Sequence, residues 1–64
     1  MASNMNTRRY VKNWIERHGP QTRTGLIDGL KMAFAHDMVE DIANDLFREE
    51  YLSADNDGMI RWVG

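Results

Sequence analysis

The chain has no cysteine anywhere in its 64 residues, and shortness without a covalent staple is the tightest constraint on its fold. A domain of this size hides only ~60% of the surface that its unfolded chain exposes, near the lower limit for folding unaided. Disulfides and thiolate metal sites are excluded. Stability has to come from one apolar core, and a hydrophobic share of 42% suffices to build it. A second copy could add to that core, so a homodimer is compatible with the sequence.

Apolar spacing locates three helices. Tyr10, Val11, Trp14 and Ile15 recur at i, i+1, i+4 and i+5, which gathers them on one face of a helix over Thr7–His18. Arg9, Lys12, Asn13 and Glu16 fall on the other side. Asn6 or Thr7 is the expected N-cap, which leaves 1–6 as a flexible polar lead. Gly19-Pro20 ends the helix, since proline has no N–H for a continuing ladder.

A second helix is expected from Thr22 or Thr24 to about Ala35, with Leu26, Ile27, Leu30, Ala33 and Phe34 on its apolar face. Gly25 and Gly29 each weaken it by ~1 kcal/mol relative to alanine, and Gly29 suits a close helix–helix approach. The third helix shows a capping-box spacing, Asp37-Met38-Val39-Glu40. Met38, Val39, Ile42, Ala43, Leu46 and Phe47 fill half of its wheel. Glu49 and Glu50 would enter that apolar sector, so the helix stops near Arg48–Glu50.

Beyond it the pattern changes period. Tyr51-Leu52-Ser53 and Met59-Ile60-Arg61-Trp62-Val63 have strand composition, and Ala54-Asp55-Asn56-Asp57-Gly58 between them is turn chemistry, with Asp57-Gly58 a strong hairpin signal. The expected fold is mainly α with a small β-hairpin, in one domain over 7–64. Trp14 and Trp62 are expected at the core or its edge, and Met5, Met32 and Met59 are candidates for exposed apolar surface.

The net charge of −2 conceals a division. Residues 1–32 hold Arg8, Arg9, Lys12, Arg17, Arg23 and Lys31 against Glu16 and Asp28, a net of +4. Residues 33–64 hold Arg48 and Arg61 against Asp37, Glu40, Asp41, Asp45, Glu49, Glu50, Asp55 and Asp57, a net of −6. Such a split implies a two-faced surface.

Helix, helix, helix, hairpin at these lengths resembles a winged helix-turn-helix domain. The likeness runs from about Thr7 to Trp62. It rests on an apolar first helix broken at Gly19, on Thr22 opening the second helix, and on Val39, Ile42, Leu46 and Phe47 leading through the third helix into a strand. Tyr51 to Trp62 stands where the wing would be. The resemblance implies DNA binding, with the third helix in the major groove and the wing on the backbone. Its size is in keeping with a small regulator of the kind carried by a virus or a mobile element.

The expected function is noncovalent DNA binding led by the basic N-terminal half and the wing, and the alternative is a protein-interaction module. For DNA, the contacts come from Arg8, Arg9, Lys12, Thr22, Arg23, Lys31 and Arg61, with Asn44 and Arg48 suited to base edges. The third helix opposes this reading, because DNA affinity rests on Lys and Arg neutralising phosphate and Asp37, Glu40, Asp41 and Asp45 are acidic. For a basic protein partner, those same four residues become the contact surface, as in an inhibitor or a DNA mimic. Head-to-tail pairing of the basic half with the acidic half of another copy is a third arrangement.

No catalytic residues, cofactor or metal site are expected. Asp55-Asn56-Asp57-Gly58 lacks the glycine and glutamate positions of a calcium loop, and His18 and His36 have no ligand spacing. No stretch has the length of a signal peptide or a membrane span, so the expected location is cytoplasmic.

Overall fold

The structure, a computed structural model, describes residues 4–64. Positions 1–3, the first half of the expected lead, lie outside the described residues. The rest of that lead is not loop. Helix α1 spans Met5–His18, two residues earlier than the apolar spacing indicates. Its N-cap is Asn4, whose side-chain oxygen accepts from the Thr7 N–H at 2.9 Å. Thr7 is buried inside the first turn rather than capping it. Gly19, at a φ of 83°, closes the helix by donating its N–H to the Ile15 carbonyl.

Helix α2 covers Arg23–Leu30, with Thr22 as N-cap. It ends well before Ala35. After Leu30 the chain tightens into turns, in which Met32 N–H donates to Gly29 and Ala33 N–H to Leu30. Ala33 is exposed, while Phe34 still reaches the core and meets Tyr10 edge-on with ring centroids 5.4 Å apart. Helix α3 covers His36–Arg48. The expected capping box does not form: the N-cap is Ala35, without a side-chain bond, and Glu40 turns instead to Arg23.

The end of α3 explains what the sequence only bracketed. Tyr51 N–H donates to the Leu46 carbonyl and Glu50 N–H to that of Phe47, the paired bonds of a Schellman cap. Glu50 occupies its left-handed position at a φ of 65°, where glycine is the usual residue. Strands β1 (Leu52–Ala54) and β2 (Ile60–Trp62) then pair antiparallel, Leu52 opposite Trp62 and Ala54 opposite Ile60. Their connection is the five residues from Asp55 to Met59, with Asp55 N–H bonded to the Met59 carbonyl, Gly58 N–H bonded to the Asp55 carbonyl, and Gly58 at a φ of 80°.

A third strand position went unseen in the sequence. Gln21, between α1 and α2, exchanges both backbone hydrogen bonds with Ile60, at 2.9 and 2.6 Å. Strand β2 therefore lies between Gln21 and β1. This short sheet, with α1, α2 and α3, gives the winged-helix-like layout expected from the element order.

One core joins the pieces. Val11 and Ile15 of α1, Leu26 and Leu30 of α2, Val39, Ile42, Ala43 and Leu46 of α3, and Leu52 and Ile60 of the hairpin are all buried. At ~25 cal/mol per Å² of apolar surface, this set is the main stabilising term in a domain with no staple. Trp14 lies across Gly29, where a Cβ would come within 2.6 Å of the indole Cε2. The same glycine's carbonyl accepts from the Tyr10 hydroxyl at 3.2 Å.

Candidate functional site

Helix α3 and the hairpin carry seven of the expected contact residues, Asp37, Glu40, Asp41, Asn44, Asp45, Arg48 and Arg61. The core claims one side of α3, through Val39, Ile42, Ala43 and Leu46. The helical repeat then sends Asp37, Asp41, Asn44 and Arg48 outward in one stripe, and all four are exposed. Glu40 stands on the flank nearest α2, and Asp45 is half-buried on the other.

The arginines of this face are turned back into it. Arg23 Nη2 donates to Glu40 Oε1 at 2.9 Å and to Asn44 Oδ1 at 3.1 Å, so it bridges α2 to α3. Arg48 Nη1 donates to Asp45 Oδ1 at 3.0 Å, one turn back along the helix. Arg61 Nη2 donates to Asp55 Oδ2 at 3.0 Å, between β2 and the wing loop. Asn44, one of the two expected base readers, is thus already an acceptor for Arg23. Thr22 is also committed, since its hydroxyl caps α2 by accepting from the Gly25 N–H at 3.1 Å.

Asp55 organises the wing tip. Its Oδ1 accepts from the backbone N–H groups of Met59 and Asp57, at 3.0 and 2.9 Å. The Met59 N–H does most to hold this carboxyl below its ordinary value of 3.8; desolvation opposes it, and the Asp57 N–H and the Arg61 guanidinium add to the lowering. An aspartate that accepts from the N–H two residues on is an Asx turn, so Asp55-x-Asp57 was a readable signal for this role.

The remaining candidates do not assemble with these. Arg8 lies half-buried, its guanidinium 5.1 Å above the Tyr51 ring, which in turn stacks on Trp62 with centroids 5.4 Å apart. That ladder fastens α1 to the wing and places Trp62 at the core edge, as expected. Arg9 and Lys12 are exposed on the outer side of α1, opposite Val11 and Ile15. Lys31 lies beyond α2 and lines, with Arg23, Thr24, Ile27, Asp28 and Glu40, an open depression of about 230 Å³. A second depression of about 160 Å³ is lined by Tyr10, Asn13, Trp14 and Arg17. Both are below the ~300 Å³ at which ligand pockets usually begin. The nine residues expected to hold DNA are therefore divided among α1, the α2–α3 junction and the wing.

Charge follows the same division. From Thr22 to the C-terminus, Arg23, Lys31, Arg48 and Arg61 face nine carboxylates: Asp28, Asp37, Glu40, Asp41, Asp45, Glu49, Glu50, Asp55 and Asp57. That part carries −5, while α1, with Arg8, Arg9, Lys12 and Arg17 against Glu16, carries +3. Among the described residues no group of three or more His, Cys, Asp or Glu is placed to hold a metal ion, and no helix is long and apolar enough to cross a membrane. The chain matches no family model, no curated protein and no solved structure.

Proposed function

We propose that this chain is a noncatalytic interaction module that docks through α3 and the wing onto a basic protein surface. What supports this reading is the net −5 of the chain from Thr22 onward, together with Arg23, Arg48 and Arg61 each being paired with a carboxylate of α3 or the hairpin. Duplex DNA carries one negative charge per ~1.7 Å of axis, and a face of that sign is repelled by it. A cluster of lysines or arginines on a partner is attracted instead, and the exposed stripe Asp37, Asp41 and Asn44 meets it first.

A second reading keeps a foothold in the exposed Arg9 and Lys12: nucleic acid held by the outer face of α1, away from the wing. Fluorescence anisotropy against two probes separates the two. One is a random duplex of ~20 base pairs at about 50 mM salt, and the other a lysine- and arginine-rich peptide under the same conditions. The proposed function gives binding to the peptide that weakens when Asp37 and Asp41 are changed to asparagine, and no binding to the duplex. Duplex binding that survives those changes and disappears in Arg9→Glu/Lys12→Glu would overturn it in favour of the second reading.

A further inference from the structure

We infer that the basic partner of α3 is the outer face of α1 on a second copy of this chain, so that copies associate head to tail. This rests on the reading of α3 as the docking face and goes further by naming the occupant. The observation is a match of charge and spacing between two exposed stripes. Along α1, Met5, Arg9, Lys12 and Glu16 follow one another at i, i+4, i+7 and i+11, opposite the buried Val11 and Ile15. Along α3, Asp37, Asp41, Asn44 and Arg48 follow at the same intervals, opposite the buried Val39 and Leu46. All eight side chains are exposed.

Laid side by side in the same direction, the stripes place Arg9 against Asp41, Lys12 against Asn44 and Glu16 against Arg48. The one acidic residue of the α1 stripe thus meets the one basic residue of the α3 stripe. In the opposite direction Glu16 would meet Asp37, a repulsive pair, so the charges select the parallel arrangement. Met5, 64% exposed, is left beside Asp37 and next to Met38, itself 46% exposed, which supplies apolar contact at that end. The match lies between α1 of one copy and α3 of another, so the contact is heterologous and each copy keeps one stripe open for the next. Two four-residue stripes form a small interface, at the low end of the size range for transient complexes.

Sedimentation equilibrium tests this on the intact chain. At about 10 mM salt, where charges act over ~30 Å, the apparent mass should climb above 7.5 kDa as the protein is concentrated. At about 0.5 M salt it should return to the monomer value. Arg9→Glu and Asp41→Arg should each abolish the rise, and a chain carrying both changes should regain it. The pair Glu16→Arg and Arg48→Glu should behave likewise. These positions are exposed, and far-UV circular dichroism confirms that each variant is folded. A wild-type chain that stays at 7.5 kDa up to about 1 mM at low salt overturns the self-pairing. So does a double variant that remains monomeric. If the wild-type chain then still binds the basic peptide, self-pairing alone has failed; if it binds neither, the acidic docking face has failed with it.

Discussion

Replacing Gly29 with alanine should destabilise this protein, although the same change at most helical glycines does the reverse. In an open helix, Gly→Ala gains ~0.8–1 kcal/mol by restricting the unfolded chain. At Gly29 a Cβ would enter the indole of Trp14, coming within 2.6 Å of Cε2 and 2.8 Å of Cη2. The ring cannot withdraw freely, because it is packed against the core on one side and meets the His18 imidazole with centroids 4.8 Å apart. Overpacking of this kind costs ~1–3 kcal/mol, which leaves a net loss of about 1 kcal/mol and a Tm lowered by roughly 4–8 °C for a domain this small. Gly25 is the internal control. A Cβ there meets the Gln21 side-chain oxygen at 2.8 Å, the end of a side chain that can swing away. Gly25→Ala should therefore stabilise by up to ~1 kcal/mol. Urea and thermal unfolding followed at 222 nm measure both, and a Trp14→Phe background should shrink the loss at Gly29. Equal or greater stability for Gly29→Ala would refute the argument that this glycine exists for the indole.

Three further outcomes follow from local geometry. Glu50→Gly should stabilise by about 0.5–1 kcal/mol in the same unfolding assay, because it relieves a left-handed non-glycine residue at the cost of a looser unfolded chain; a loss of stability would show that Glu50 makes a contact worth more than its strain. Removing the α1 cap by Asn4→Ala should cost about 1 kcal/mol and increase amide exchange in the first turn, and unchanged protection at Thr7 would count against it. Asp55 has a lowered carboxyl value, so its contribution to the wing is fully present above 3.8 and is lost as pH falls through its folded value. An NMR titration should accordingly find Asp55 still ionised in the folded chain at pH 3.8, and a midpoint at or above that value would contradict the hydrogen bonds drawn to it.

Sequence alone determined the parts of this molecule that depend on neighbours a few residues away. The buried faces of all three helices, Val11 and Ile15, Leu26 and Leu30, Val39 to Leu46, were legible because helical periodicity and apolarity coincide there. Gly19-Pro20 and Asp57-Gly58 marked real breaks for the same local reason. Where a signal depended on a choice of partner, the sequence misled or was silent. Asp37 and Glu40 have the spacing of a capping box, yet Arg23, seventeen residues from Glu40, takes the carboxylate. Nothing near Gln21 announces a strand, because its pairing partner Ile60 comes from the far end of the chain. Glu50 conceals a helix stop that glycine would have advertised. The charge split was plain from composition, and Arg48 with Asp45 is a pair of neighbours on one helix, but only the tertiary structure decided that Arg23 of α2 would be held by Glu40 and Asn44 of α3 while Arg9 and Lys12 stayed outside. Hydrogen bonds and ion pairs act over about 3 Å, and which groups come that close is settled by packing the whole chain rather than by any stretch of it.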